Sequence, residues 1–474
     1  MNAKRIFALP LLLITLFALV LSACGGQAPA AATGPTAEPQ IVVQTQVVVQ
    51  TQVVEVEKPV EVMVTPTAGP NPEMGIADVE AGAEITFWTF FLSPTFDQYI
   101  KDTIVRFNEA YPDVTVKWED RQATLQEEYR NSLAAGNAPD VVNVPTGWVQ
   151  EFAQKDQLVN MSEALPAELQ GQYFPNLFSQ TDVGGASYQV PWYQAVDAYL
   201  VNTDVISKAG YTLEQLPKTF DEQKAFCLEF AEKSGIPCGL RMATDNLLQT
   251  MAYEGDVEVM NADQSAFTFD SPEAVQWLQD YVDLLNAGAI HKDIVLLNAA
   301  DDRIGLERFT QGQMPFYVTG PQLIRVVRES NPGLYGYLAM VPRAVGRSGA
   351  LPPVSMSIVA SKSTKFPKAA AALAAFFSNP QSMLEFAKIV SIYPSTPASY
   401  KDAFFTQKPV AIEDQIRPIA ESIISQQKNI LPEIPNQAEV NEVMRQAVEA
   451  ALFGGTDPQT ALTDAVEQAN ALIK

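Results

Sequence analysis

From residue 84 onward, apolar and polar positions switch repeatedly between a period of two and a period near 3.6. Ile85-Thr86-Phe87-Trp88 reads as a short strand. Ser93 and Pro94 then supply a helix start, with Phe96, Ile100, Ile104 and Phe107 falling on one helical face. Tyr111-Pro112-Asp113 stops that helix, and Val114, Val116 and Trp118 alternate as a second strand. Thr124 and Glu127 have capping-box spacing in front of a helix from Leu125 to Ala135, which Gly136 closes. Val141–Val144 is a third strand, and another helix is expected from Gly147 to Gln154. Repeated strand–helix alternation predicts an α/β fold, a mainly parallel sheet with helices on both faces. Such sheets bind ligands beyond the carboxyl ends of their strands, which points to Thr89–Ser93 and Pro145–Trp148.

The amino-terminal pattern is of another kind. Lys4 and Arg5 precede an apolar run from Ile6 to Leu21 that ends in Leu21-Ser22-Ala23-Cys24-Gly25. An apolar run this short, with a charged start and small residues at its end, reads as a secretory signal over 1–23 rather than a spanning helix. Cysteine directly after Leu-Ser-Ala resembles the bacterial lipobox, in which the Cys24 thiol takes a diacylglycerol and becomes the acylated first residue. An ordinary signal peptide with a chance cysteine is the alternative. From Cys24 to Ala83 the chain is rich in Ala, Pro, Thr, Gln and Val, including two copies of VVQTQV at Val42–Val47 and Val48–Val53. Such a composition buries too little apolar surface to offset its ordering entropy, so 24–83 is expected to be a disordered tether. As a flexible coil it would hold the folded part roughly 40–45 Å from the bilayer.

The stretch 84–474 exceeds the roughly 250–300 residues that one core serves, so two lobes are expected. The formal charge of −24 opposes binding to phosphate backbones and anionic lipid heads, and no nucleic-acid partner is expected. Besides Cys24 only Cys227 and Cys238 occur. In an oxidising compartment they could pair as a disulfide; two free buried thiols are the other reading. A single histidine, His291, rules out a His-based metal cage and a Ser-His-Asp triad, and it reads as a surface residue at a helix end. Neither a phosphate-binding P-loop nor a dinucleotide glycine motif occurs, and no metal or cofactor is expected. Ser425-Gln-Gln-Lys428 matches S-x-x-K without that motif's partners. Carboxylates are plentiful, so a glycosidase-like acid pair stays open.

Aromatic residues gather where the predicted strands end: Trp88, Phe90 and Phe91; Trp148; Trp192 and Tyr193. Aromatic faces stack on the C–H faces of sugar rings and leave the rim for hydroxyl hydrogen bonds. Trp118 and Trp277 lie in periodic segments and are assigned to the core.

The ordered set of local sequences resembles a known family. Asn108-Glu-Ala-Tyr-Pro-Asp-Val-Thr-Val116 and Leu133-Ala-Ala-Gly-Asn-Ala-Pro-Asp-Val141 are followed by Tyr188-Gln-Val-Pro191, Leu200-Val-Asn-Thr-Asp204, Gly312-Gln-Met-Pro-Phe316, Thr319-Gly-Pro321 and Gly454-Gly-Thr-Asp-Pro-Gln-Thr-Ala-Leu462. Over 84–474 this resembles the sugar-binding class of extracellular solute-binding proteins of ABC importers. The resemblance implies a two-lobed periplasmic-binding-protein clamshell, with a helix-flanked sheet in each lobe and three hinge crossings. They are expected near Gln194–Tyr199, Phe316–Gly320 and Ala360–Thr364, giving lobe 1 as 84–195 with 320–361, and lobe 2 as 196–319 with 362–474. It also implies sugar contacts at Phe90, Phe91, Gly147, Trp148, Trp192, Tyr193, Gln194, Tyr253, Gly320, Tyr393 and Asn441. Asn441 replaces a tryptophan platform of maltose-binding relatives, and an acid is replaced near Gly147, which argues against a maltodextrin and leaves another mono- or oligosaccharide. The implied protein is not an enzyme. It is a lipid-anchored monomer on the extracytoplasmic face of the cell membrane, delivering its carbohydrate to the membrane subunits of an ABC permease. A secreted carbohydrate-active enzyme, or a binding protein for a non-sugar solute, is the alternative.

Overall fold

The structure, a computed structural model, describes residues 75–297, 303–432 and 434–473. The signal over 1–23, Cys24 and the tether as far as residue 74 lie outside the described residues. Two sheets organise the rest. The larger has the strand order β11-β4-β10-β3-β1-β2, with β1 at Glu84–Phe90, β2 at Thr115–Arg121, β3 at Val141–Pro145, β4 at Val190–Ala195, β10 at Val354–Ala360 and β11 at Tyr393–Pro394. The smaller has the order β8-β5-β9, with β5 at Ala198–Asn202, β8 at Phe316–Thr319 and β9 at Leu338–Val341, all antiparallel. A two-stranded parallel ribbon, β6 at Met242–Ala243 and β7 at Leu296–Leu297, stands apart.

Alternation along the first sixty residues of this region does produce parallel pairing. β1 runs parallel to β2 in a register from Glu84↔Thr115 to Phe90↔Arg121, and parallel to β3. The sheet is nevertheless mixed, because β10 inserts antiparallel between β3 and β4. Helices close its apolar face. Asp97–Ala110 buries Tyr99, Ile100, Thr103 and Phe107, and Pro367–Phe377 is buried from Ala369 to its end. A run of alanines lets that second helix lie close among its neighbours. Its terminal Phe377 ring sits 5.1 Å from Phe87 and 6.0 Å from Trp192.

Two helix starts differ from expectation. The first helix begins at Asp97 rather than at Pro94. At the second, Leu125–Ala135, Thr124 makes no side-chain cap; its hydroxyl donates instead to Glu128, 2.6 Å away, so the Thr124–Glu127 box does not form. Gly136 ends that helix in the left-handed conformation, as expected.

The folded body starts earlier than Glu84, which shortens the expected tether. Ile76 is buried and its N–H donates to the Tyr111 hydroxyl. The Glu80 carboxylate accepts from the N–H groups of Lys368 and Ala369 at 3.1 and 2.8 Å, placing negative charge at the start of the Pro367–Phe377 helix.

The second sheet is buried under Phe220–Ser234, Leu247–Gly255, Pro272–Asn286 and the carboxyl-terminal pair Gln437–Gly454 and Pro458–Ile473. Trp277 lies in this core, and Trp118 is partly buried against the first. Cys227 and Cys238 are joined as a disulfide with their Cα atoms 5.6 Å apart. Glu254 is held beneath by Trp277 Nε1 at 3.1 Å and the Tyr281 hydroxyl at 2.8 Å, and burial pushes its carboxyl above the usual range.

The sheets redraw the expected lobes. β9, within 320–361, pairs with β5 in the second sheet, while Pro367–Phe377 and Pro380–Ile389, within 362–474, pack on the first. The chain therefore passes between sheets at 195–198, at 342–353 and again after β11, between 395 and 412, beyond which Glu413 meets Arg328 and Tyr335 and Gln415 accepts from Met340 N–H, rather than at 316–320 and 360–364. Helical periodicity says which face of a helix is apolar, not which sheet covers it, and this is why the sequence misplaced the boundaries.

Candidate functional site

Parallel strands bring their carboxyl ends to one edge. β3 is parallel to β1, and β10 is antiparallel to both β3 and β4, so β1, β3 and β4 all finish on the same side. Phe90–Leu92, Thr146–Trp148 and Tyr193–Ala195 therefore share that edge. They meet there the amino-terminal end of β10, with Ser355 opposite Gln194, and Tyr393 of β11, also opposite Gln194.

An aromatic shelf stands on this edge. Phe90 packs 4.7 Å from Phe91 and 5.8 Å from Trp148, centroid to centroid. Phe91 is 51% exposed and adopts φ +56°, in the left-handed region. A phenylalanine held there costs of order 1–3 kcal/mol and persists only where its surroundings over-determine it. They do so here. Phe91 N–H donates to the Arg121 carbonyl at 2.9 Å, Phe90 N–H to Asn143 Oδ1 at 3.1 Å, and Leu92 N–H to Asp120 Oδ1 at 3.0 Å. Asp120 also accepts from the Thr89 hydroxyl, which accepts from Trp118 Nε1. Trp148 is half-buried, and a Cβ added at exposed Gly147 would meet nothing within 4 Å. The shelf is open to one side and rigid on the other.

Beneath it runs a buried polar network. The Thr146 and Ser357 hydroxyls lie 2.6 Å apart, Ser357 donates to Gln189 Oε1, and Gln189 Nε2 donates to the Leu177 carbonyl. Gln194 Nε2 donates to Ser395 Oγ at 3.0 Å while Ser395 donates to the Trp192 carbonyl at 2.6 Å. Burial pushes the Tyr193 and Tyr393 phenols up, so both remain neutral at physiological pH.

Seven expected contacts thus meet at one edge: Phe90, Phe91, Gly147, Trp148, Tyr193, Gln194 and Tyr393. Phe91 and Gly147 are exposed and Phe90, Trp148 and Tyr193 half-buried, while Gln194 and Tyr393 are buried. Four do not belong with them. Trp192 is fully buried against Phe377 and Phe386, because strand alternation turns it into the helix-covered core. Tyr253 is buried, its hydroxyl donating to the Lys428 carbonyl at 2.6 Å. Gly320 is buried directly after β8. Asn441 uses both ends of its amide on the backbone, accepting from Leu247 N–H and donating to the Thr244 carbonyl, so it braces the loop before Leu247–Gly255. Sequence reasoning missed Asn143, whose signal was legible: one amide inside the buried run Val141–Val144.

His291 is not a surface residue at a helix end. It is half-buried in the loop after Pro272–Asn286, with Nε2 2.7 Å from the Gln313 carbonyl, and burial pushes its pKa down. Among the described residues no group of three or more His, Cys, Asp or Glu side chains is placed to hold a metal, and no helix is long and apolar enough to cross a membrane.

Two sheet-and-helix lobes joined by three passages, with an aromatic shelf at the end of parallel strands, define a two-lobed binding protein. Residues 102–412 match the bacterial extracellular solute-binding protein family, and the chain belongs to it. The sn-glycerol-3-phosphate-binding periplasmic protein UgpB of Pectobacterium atrosepticum is 23% identical over 440 residues, covering 84% of this chain and 93% of that protein. Among solved structures, the sugar-binding protein MalE from Xanthomonas citri superposes with a TM-score of 0.69 at 20% identity, covering 82% of this chain and 97% of that one. The cyclic alpha-maltosyl-1,6-maltose binding protein from Arthrobacter globiformis gives 0.67 at 20% identity, covering 83% and 99%.

Proposed function

We propose that this solute-binding protein captures a mono- or oligosaccharide on the shelf of Phe90, Phe91 and Trp148 and delivers it to an ABC permease. The observation that carries the reading is Phe91: an exposed aromatic ring kept at a strained backbone position by three backbone hydrogen bonds around it. Strain of this kind is retained where a side chain must be presented in one orientation. The exposed Phe91 ring, set edge-on against Phe90, suits the C–H face of a pyranose, and the amides and hydroxyls beneath suit its rim. The UgpB and MalE names supply two solute chemistries to compare, a phosphorylated polyol and a sugar. Solute touching both lobes would favour the closed state by its differential affinity, and the closed form would dock on the permease. Cys24 would carry the lipid that keeps the receptor at the extracytoplasmic membrane face.

A thermal-shift screen tests the reading. Neutral mono- and oligosaccharides are set against sn-glycerol 3-phosphate and amino acids, each at high excess. A ligand at 100 times its dissociation constant adds about 2.7 kcal/mol of stability. A shift with a neutral sugar supports the reading; a shift confined to the phosphate ester or an amino acid overturns it. The anchor is tested by metabolic labelling with a fatty-acid probe, where undiminished label in Cys24→Ser would remove the lipoprotein assignment.

A further inference from the structure

One amide sits inside a strand that is otherwise apolar up to its last residue. Asn143 lies between Val142 and Val144 in β3, and all four residues from Val141 to Val144 are fully buried. Its backbone faces Ile358 of β10, on one side of the strand. Its side chain serves β1, on the other. The β1–β3 ladder covers Phe87↔Val141 and Trp88↔Val142 and then stops, whereas β1 stays paired with β2 as far as Phe90↔Arg121. Past the end of the ladder a side chain takes over, Asn143 Oδ1 accepting from Phe90 N–H at 3.1 Å. An N–H only donates, so this bond sets which end of the amide is which, and it leaves Nδ2 buried with no protein acceptor.

Two unfavourable features thus stand side by side. A buried donor without an acceptor forfeits its hydration, and the bond that orphans it precedes Phe91 at φ +56°. A fold that breaks two local rules at the edge where its aromatic rings gather is holding that edge for something other than stability. What the amide achieves is a tie between the two segments of the shelf. β3 runs straight into the turn Thr146–Trp148, so Asn143 and Trp148 belong to one segment, while Phe90 and Phe91 end the other. Phe91 N–H and Leu92 N–H are held from the β2 side, by the Arg121 carbonyl and Asp120 Oδ1. The Phe90 bond reaches the opposite way, to the strand that carries Trp148, whose ring stands 5.8 Å from that of Phe90. Without the amide, Phe90 N–H regains a partner by turning out to water, which carries both phenylalanine rings away from Trp148.

We propose that Asn143 is the positioning residue of the shelf: its amide fixes the spacing of Phe90 and Phe91 from Trp148, and so the affinity for solute, without touching the solute. The inference rests on the reading of a shelf that binds sugar. The full chain carries para-fluorophenylalanine at position 91, introduced by amber suppression, and fluorine NMR reports the setting of that ring without any ligand. Asn143→Val matches the valines on either side and removes the acceptor. It is expected to shift or broaden the fluorine signal and to weaken binding about tenfold, for the neutral saccharide giving the largest thermal shift, because a loosened shelf must be ordered on binding. Asn143→Ala is expected to move the same two readouts, and it carries the test if the valine variant does not fold. Asn143→Asp keeps an oxygen for Phe90 N–H in either protonation state and drops Nδ2, so it is expected to retain both the signal and the affinity. A fluorine signal and an affinity unchanged in the folded valine or alanine variant, whatever the melting temperature does, would make Asn143 merely structural and overturn the proposal. An aspartate variant that loses as much as the valine variant would overturn it too. Should no sugar bind the wild-type chain, the carbohydrate reading fails, while the fluorine signal still decides whether Asn143 sets the ring.

Discussion

The two lobes bury similar kinds of side chain but are built for different tasks. In the first, a six-stranded sheet ends in loops that expose Phe91 and Gly147 and leave Trp148 half-buried. In the second, a three-stranded sheet is roofed by helices, and the residues singled out there are spent on internal support: Tyr253 on the Lys428 carbonyl, Asn441 on a loop, and Cys227 with Cys238 on each other. Surface for recognition accumulates where parallel strands stop, because their following loops all leave from one side. Helical layers offer no such shared edge, and their polar side chains close gaps in the backbone bonding.

Substitutions on either side of that contrast should separate support from recognition. The largest effect is expected for Trp192→Ala, which empties a fully buried site in the first core and should cost about 3–5 kcal/mol of unfolding free energy. Chemical denaturation measures it; stability left intact with sugar binding lost would return Trp192 to the site. Next comes the second lobe. Replacing Cys227 and Cys238 by alanine removes a bridge across a sequence separation of 11 and should lower stability by about 2–3 kcal/mol. Thiol counting on denatured, unreduced protein checks the bridge itself, two free thiols after Cys24 showing that it is absent.

The shelf should behave in the opposite way. Trp148→Ala is expected to weaken sugar binding by about 1.5–2.5 kcal/mol, the scale of one large apolar contact, with the free protein melting nearly as before. Calorimetry of binding beside a melt of the free protein decides it. A large stability loss with affinity kept would make Trp148 a core residue. The smallest effect concerns Phe91. Phe91→Gly relieves a left-handed backbone at an exposed position and should stabilise the free protein by about 0.5–1 kcal/mol while weakening sugar binding. A destabilised variant would show that the ring is needed for the fold.

Local pattern carried the first three strands, the two helices between them and the edge they share, since neighbouring segments paired in chain order with side chains alternating as their periods required. It also placed Phe90, Phe91, Gly147 and Trp148 together, because strand ends are local facts. It failed at Trp192, which the strand sends into the core: the helices Pro367–Phe377 and Pro380–Ile389 that cover it lie nearly two hundred residues further on. It failed at Glu80 for the same reason, since its partners are the N–H groups of Lys368 and Ala369.

By itself, then, the sequence determined the α/β class, the family, the chemistry gathered at the strand ends and the pair of cysteines able to bridge. The tertiary structure alone decided the lobe boundaries, the burial of Trp192 and Tyr253, and the use of Asn441 to brace the loop before Leu247–Gly255. Periodicity records how a residue faces its own element, a property of a few neighbours in the chain. Which distant segment covers that face is settled by packing the whole, where antiparallel β10 lies between β3 and β4 although every strand of the second sheet stands between β4 and β10 in the chain.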